Sequence, residues 1–386
     1  MIEPLRLWLP QAIEFGLGKT DTVWRHLGEY RRVFVLCDGS VLPFGQRLSQ
    51  EAETRGLEAR LSADVVPEPT FEALDDVLQQ AQSFSPEAII GIGGGSAMDL
   101  AKLIAVLLPG TQKATDLVGI DKVKGRAARL ITMSTTAGTG SEVTPIAVLT
   151  DSEEKLKKGV VSRHLVPDAA IVDPQLTISL PPAVTAATGL DALTHCIEAY
   201  TNRFAHPLVD LWALEGVRLI LANLETAVAC GTRAEARVAM SMGSLCGGLC
   251  LGPVNTAAVH AMAYPLGGEY EISHGVANAL LLPFVMQFNL PACTEKYARI
   301  ATLAGIQEDS PPEIVARKGI MRIRELQERC GIPTNLRQLS IPQEAIHSMA
   351  ESCLKVKRLM DNNPRPVTLD DAISIYRQAY EGTLEV

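Results

Sequence analysis

The stretch Ala88-Ile-Ile-Gly-Ile-Gly-Gly-Gly-Ser-Ala-Met-Asp-Leu-Ala-Lys102 decides the fold. Its first five residues are an apolar run of the length of one buried strand, three glycines follow, and a helical pattern opens at Ala97 and lasts to Leu108. Strand, glycine turn and helix start make up half of a βαβ unit. The same alternation continues on both sides. Arg32-Val-Phe-Val-Leu-Cys37 is a buried-strand run ending at Asp38-Gly39-Ser40, with a helical stretch beyond it through Leu48 and Ala52. A short strand lies within Leu57 to Val66, Phe71 to Phe84 has helical spacing, and Leu130-Ile-Thr-Met133 is a further strand. This order predicts a Rossmann-like parallel sheet with helices on its faces. After Asp173-Pro174 the β-branched runs nearly vanish. The spacing there predicts helices over Pro182 to Thr201, His206 to Thr226, Arg233 to Leu251, Val254 to Tyr264 and His274 to Phe288, with two more after Pro311 and Pro342. The expected organisation is an α/β dinucleotide-binding domain over residues 1–180 and an all-helical domain over 181–386.

A chain of 386 residues favours two domains over one, and 47% hydrophobic against 20% charged residues supplies a large core. The net charge of −9 argues against nucleic acid or an anionic membrane as a main partner. The eight cysteines are scattered with no Cys-x-x-Cys pair, which reads as reduced thiols rather than a disulfide frame. The N-terminus lacks a basic start followed by an apolar core, so no signal peptide is expected and the cytoplasm is the predicted location. The longest apolar stretch, Ala277 to Leu290, is interrupted by Asn278, Pro283 and Gln287 and reads as a core helix, not a membrane span. Leu7-Trp8-Leu9-Pro10 reads as an apolar strand whose edge would pair with a second copy, so a homo-oligomer is expected.

Three of the seven histidines fall in two segments with the look of metal-binding sequence. In Gly189-Leu-Asp-Ala-Leu-Thr-His195, Asp191 and His195 are four apart and share one helix face. In His260-Ala-Met-Ala-Tyr-Pro-Leu-Gly-Gly-Glu-Tyr-Glu-Ile-Ser-His274, a Pro-Leu-Gly-Gly turn is expected between two apolar stretches, with a histidine at each side. One carboxylate and three imidazoles suit a divalent first-row metal. The other reading is a helix-surface pair with two unrelated histidines.

The glycine turn suits a pyrophosphate, because glycines admit close backbone approach and the helix start adds unpaired N–H donors. It is neither Gly-x-Gly-x-x-Gly nor a P-loop, which disfavours a kinase. The competing reading is a plain tight turn capped by Ser96, with Asp99 as a first-turn dipole partner. Asp38, at a strand end, is placed to bind ribose hydroxyls and repel a 2′-phosphate, favouring NAD over NADP. Ser134-Thr-Thr-Ala-Gly-Thr-Gly-Ser-Glu142 is rich enough in hydroxyls and small residues to line a cofactor crevice, or to be an ordinary polar loop.

Together these segments resemble the iron-containing (group III) alcohol dehydrogenase family. The resemblance runs in one order through Phe15-Gly-Leu-Gly, Asp38-Gly-Ser, Gly93-Gly-Gly-Ser-x-x-Asp-x-Ala-Lys, Thr135-Thr-Ala-Gly-Thr-Gly-Ser-Glu, Asp173-Pro, Thr188-Gly-x-Asp-Ala-x-x-His195, His260-Ala-Met-Ala-x-Pro-Leu-Gly-Gly and His274-Gly-x-Ala-Asn-Ala-x-Leu-Leu-Pro. It implies a dehydroquinate synthase-like fold with the site in the cleft between the domains. It implies that Asp191, His195, His260 and His274 hold the metal, that Gly94, Gly95, Ser96 and Asp99 lie along the pyrophosphate, and that Asp38 meets the ribose. Thr135, Thr136, Thr139, Val148 and Lys157 would lie along the rest of the cofactor. Two positions depart from the family. Tyr264 stands where many relatives carry a histidine near the substrate, which puts proton relay there in doubt, since a phenol is far less basic. Glu68 stands where relatives often carry asparagine, and no cofactor contact is transferred to it.

The activity implied is reversible hydride transfer between NAD(H) and a small alcohol or aldehyde, with a metal ion as Lewis acid. Four protein ligands would close a tetrahedral zinc site, so Fe(II), which accepts five or six ligands, is the expected ion, with Zn(II) or another divalent metal as substitutes. No side chain stands out as proton acceptor. A hydroxy-acid dehydrogenase or hydroxyacid–oxoacid transhydrogenase on the same scaffold would need a cation for the substrate carboxylate; Lys355, Lys357, Arg358 and Asn362-Asn-Pro-Arg365 are the candidates. A dehydroquinate synthase-like lyase would need basic residues that the metal segments lack, and a non-catalytic interaction module would leave the ligand set unexplained.

Overall fold

The computed structural model describes residues 4–307 and 310–384. The chain forms two units, one spanning Leu7–Thr177, the other running from Ile178 onward and including residues 4–6.

The first unit is built on a six-stranded parallel sheet. Its strands are β1 (Ala12–Phe15), β2 (Arg32–Asp38), β3 (Glu58–Val65), β4 (Ala88–Gly93), β6 (Arg129–Ser134) and β9 (Ala169–Val172), in the order β1-β9-β6-β4-β2-β3. β5 (Gly119–Ile120), β7 (Ile146–Asp151) and β8 (Leu156–Val161) form a smaller sheet. The helices are α1 (Val23–His26), α2 (Leu42–Thr54), α3 (Phe71–Phe84) and α4 (Gly95–Leu107). Both faces of the large sheet are covered. Phe34, Leu36, Ile89 and Leu130 point into one core with Leu100, Leu103 and Ile104 of α4. Val33, Val35, Ile90, Ile92, Ile131 and Met133 alternate into the other. Gly91 is where α4 crosses the sheet, since a Cβ there would sit 2.6 Å from the Ala101 Cβ. Strand order reverses between β2 and β4, where crevices for ligands open at strand C-termini. Asp38 and Gly93 end those two strands.

The second unit is all-helical: α5 (Pro182–Thr201), α6 (Pro207–Ala229), α7 (Ala234–Leu251), α8 (Ala258–Tyr270), α9 (His274–Leu303), α10 (Pro312–Arg329), α11 (Ala345–Leu354), α12 (Lys357–Met360) and α13 (Leu369–Glu381). α9 is long and apolar enough to cross a membrane, but 72% of that stretch is buried, as in a core helix.

Three expectations need correction. Leu7–Pro10 is not a strand; pairing begins at Ala12, beyond Pro10, which has no N–H to give a ladder. The expected Pro265-Leu-Gly-Gly turn lies inside α8, and the chain turns instead at Glu271, whose φ is +56°. Proline removes one helix bond, and the fully buried packing of residues 258–267 overrides it. α9 runs past Phe288 to Leu303, kinked at Cys293 just after Pro291.

Candidate functional site

In the helical unit, four side chains from three helices converge. α5 carries Asp191 and His195 one turn apart, α8 carries His260 in its first turn, and α9 begins with His274. The Nε2 atoms of His260, His274 and His195 lie 3.6, 3.8 and 3.9 Å from one oxygen, Asp191 Oδ1. The His195 and His260 rings are stacked with centroids 4.8 Å apart, and His274 meets His260 edge-on at 5.2 Å. Asp191, His195 and His260 are buried, while the His274 side chain is 28% exposed. Burial works against ionisation of Asp191, but the facing His195, His274 and His260 outweigh it and hold the carboxyl well below the usual carboxylate range.

Two residues that the sequence reading left without a role complete the cluster. Glu198 lies 2.6 Å through Oε2 from His260 Nδ1 and accepts the Val259 N–H through Oε1, also at 2.6 Å. Asn278 Nδ2 donates to Asp191 Oδ1 at 2.7 Å and lies 3.1 Å from His274 Nε2. The available signal was spacing: Glu198 follows His195 by three residues, and Asn278 follows His274 by four.

The cluster fits a divalent ion. His260 Nε2 is buried and makes no hydrogen bond. Separations of 3.6–3.9 Å are too long for hydrogen bonds. They are of the order expected between two ligands each about 2.0–2.2 Å from one ion. Burial alone would lower the His260 pKa, yet the Glu198 and Asp191 carboxylates push it up to about 9.

Tyr264, one turn after His260, is buried against Ala261 and Leu359, its ring 6.3 Å from that of His274. Of the candidate cations for a substrate carboxylate, Lys355 and Lys357 are exposed. Asn362 and Asn363 bond to Thr256 and Asn289, and Arg365 donates to the Phe288 carbonyl at 2.7 Å while lying over its ring. That stretch is occupied in holding helices together.

In the α/β unit, most of the expected cofactor residues lie at the ends of β2, β4 and β6, and Val148 and Lys157 lie on β7 and β8. Gly93 has φ +148°, and a Cβ there would sit 2.4 Å from Asp38 Oδ2 and 2.8 Å from the Ala97 Cβ. Cβ atoms on Gly94 and Gly95 would meet Cγ2 of Thr136 and Thr139 at 3.4 and 2.9 Å. The Thr135 N–H donates to the Gly93 carbonyl. Ser96 does not cap α4; Gly94 holds that position without a side-chain bond, and the Ser96 hydroxyl accepts the Glu68 N–H. Glu68 is itself ion-paired with Lys157 at 3.3 Å. Asp99 spends its oxygens on the Ser141 hydroxyl (2.5 Å) and the Val148 N–H (2.9 Å).

Beneath this surface lies Lys102, a residue the sequence reading did not single out. It is wholly buried and donates to Ser141, Thr144 and the Ile146 carbonyl, 3.5 Å from Asp99. Burial lowers the pKa of Lys102 and raises that of Asp99, and the attraction between them resists both shifts. The arrangement offers a dinucleotide a helix start free of side-chain capping and a buried Thr136 hydroxyl with no hydrogen-bond partner.

Comparison with known proteins gives one result throughout. The family model described as iron-containing alcohol dehydrogenase matches residues 10–174. That of the Fe-containing alcohol dehydrogenase family, C-terminal, matches residues 185–380. Long-chain-alcohol dehydrogenase 1 of Geobacillus thermodenitrificans (strain NG80-2) is 38% identical over 388 aligned positions, covering 98% of each chain. NAD-dependent methanol dehydrogenase of Bacillus methanolicus is 30% identical, covering 96% of this chain and 99% of its own. The solved alcohol dehydrogenase from Oenococcus oeni superposes with a TM-score of 0.94 at 31% identity, over 98% of this chain and all of that one.

Proposed function

The chain belongs to the iron-containing alcohol dehydrogenase family, and on that premise we propose that it transfers hydride reversibly between NAD(H) and a small alcohol or aldehyde with the aid of one divalent ion, Fe(II) by preference. The observation that carries this reading is the convergence of three imidazole Nε2 atoms on Asp191 Oδ1 in a buried pocket, His260 Nε2 lacking any other partner.

Asp191, His195, His260 and His274 are the proposed ligands. A bound ion supplies Lewis-acid stabilisation of the charge that develops on the substrate oxygen. Asn278 steadies Asp191 by donating to the same oxygen the histidines face. The glycine turn, with Thr136 and Thr139 packed over Gly94 and Gly95, receives the cofactor's pyrophosphate. Asp38 takes the ribose. Asp99 acts from behind, holding the Val148 backbone in place rather than touching phosphate. Tyr264 packs beside the proposed ligands, its ring 6.3 Å from that of His274.

Two further expectations remain part of the proposal. A reducing cytoplasm suits eight free cysteines, seven of them buried. Assembly of identical copies suits β1, an edge strand with Ile13 exposed and Leu9 and Leu17 exposed on either side.

The test joins metal analysis with NAD-linked turnover on a panel of short alcohols and aldehydes, with Fe(II) or Zn(II) supplied. His260→Ala is expected to lose both ion and turnover. Unchanged metal content with unchanged turnover in that variant would sink the assignment.

A further inference from the structure

Helix α5 presents Asp191, His195 and Glu198 on one face, at spacings of four and three. The first two belong to the ligand set. Glu198 is a carboxylate only 4% exposed within a helical core. Such a group is costly to bury unless its oxygens are satisfied. Both reach α8. Oε1 accepts the Val259 N–H, and Oε2 meets His260 Nδ1, each at 2.6 Å.

The first contact supplies a missing cap. Ala257, at the N-cap of α8, has no side-chain acceptor, so the second N–H of the helix is satisfied from α5 instead. The second contact decides the chemistry of the ring. With a carboxylate oxygen accepting at 2.6 Å, the hydrogen between the two groups sits on Nδ1. When the ring is neutral, its lone pair is then on Nε2, the buried atom without a hydrogen bond, 3.6 Å from Asp191 Oδ1.

Resting on the metal reading above, we propose that Glu198 is the positioning residue of this centre: one carboxylate starts α8 and holds His260 in the tautomer whose Nε2 faces the ion. Carboxylate–histidine–metal relays of this kind fix ring orientation and strengthen the ligand.

Two substitutions separate the two jobs. Glu198→Gln keeps a carbonyl oxygen for the Val259 N–H but turns an amide N–H toward Nδ1. The ring must then accept there and carry its hydrogen on Nε2, facing the ion. Glu198→Ala removes cap and orienter together but leaves the tautomer free. Zn(II) dissociation constants would be measured by chelator competition on metal-stripped protein without cofactor or alcohol, beside thermal melts of the metal-free forms. Glu198→Gln is expected to bind Zn(II) about 10–100-fold more weakly than the parent chain. It is also expected to bind more weakly than Glu198→Ala, although Ala is the less stable of the two. A purely structural residue would give the opposite order, with Ala the poorer on both measures, and that order overturns the proposal. Should Glu198→Gln bind within about threefold of the parent while His260→Ala loses the ion, Glu198 has no such role and the metal reading stands. Retention of the ion by His260→Ala overturns both.

Discussion

The two candidate sites of this chain are made in opposite ways. The nucleotide turn is built by leaving side chains out: of three consecutive glycines, Gly93 and Gly95 leave no room for a Cβ, set against Asp38 and Thr139, and Gly94 lies against Thr136. The metal centre is built by bringing side chains in, from three helices and from positions as far apart as Asp191 and His274. A site made of backbone is intolerant of bulk and indifferent to proton concentration. A site made of an acid and three imidazoles tolerates changes of shape better than changes of donor chemistry, and it competes with protons. The contrast yields measurements that should move one site and leave the other still.

The largest expected effect is steric. Gly93 combines φ +148° with a would-be Cβ 2.4 Å from Asp38 Oδ2. Gly93→Val therefore displaces the end of β4, β2 or both. Overpacking of this kind costs about 1–3 kcal/mol, and placed in the ligand crevice it should weaken NADH binding by about 10–100-fold. Fluorescence titration of NADH and chelator competition for Zn(II), run on the same protein, give the two readouts. NADH affinity should fall while the zinc constant stays. Equal losses in both would mean that the two sites are not the independent constructions described above.

The next effect is chemical and belongs to the metal centre alone. In the metal-free chain the His260 pKa is pushed up to about 9 by Glu198 and Asp191, against the opposing pull of burial. The sign follows from that rise. The unfolded value is about 6.5, so the ring's contribution to stability is complete below that pH and is lost as pH climbs through about 9. An ion requires the neutral ring, and so must displace this proton below about pH 9. From this residue alone, zinc affinity should rise about tenfold per pH unit from roughly 7 to 9, then level off. NADH affinity measured in parallel should stay nearly flat. A zinc constant independent of pH over that interval would show that no proton is displaced.

The same contrast explains what could be read from the sequence. The glycine turn is contiguous, so fifteen residues were enough to place a strand, a turn and a helix. Bounds also came through where local chemistry fixes them: Phe71–Phe84 is capped by the Thr70 hydroxyl, and Pro182–Thr201 opens on prolines. The hairpin of β7 and β8 did not come through. Its strands are half-buried, and Leu156-Lys-Lys-Gly-Val-Val161 carries two lysines and a glycine, so it lacks the apolar run that marks β4. Yet Val148 and Lys157 of the candidate site sit on it. The short β1 gains its strand character from pairing with β9, and β9 from lying between β1 and β6, which is a non-local effect. At the candidate metal centre the four converging side chains were legible from residue type. Glu198 and Asn278 were not: spacing puts them on the same helix faces as His195 and His274, but it does not say whether such a face looks at an ion or at a neighbouring helix.

The smallest expected effect tests the charge at the end of β2. Asp38 Oδ1 accepts from the Ser40 N–H at 3.0 Å and from its hydroxyl, while Oδ2 lies over Gly93. Asparagine can keep the first oxygen and its partner while removing the charge, so Asp38→Asn changes electrostatics with little change of shape. A carboxylate and a phosphate at about 4 Å repel by roughly 1 kcal/mol in water-like surroundings and about 4 kcal/mol near a protein surface. The ratio of kcat/KM for NADP over NAD should therefore rise about tenfold, with the zinc constant unmoved. An unchanged ratio would mean that the ribose lies elsewhere and that Asp38 serves only its local turn. The glycine turn would then be a phosphate cradle to which Asp38 adds no choice between the two dinucleotides.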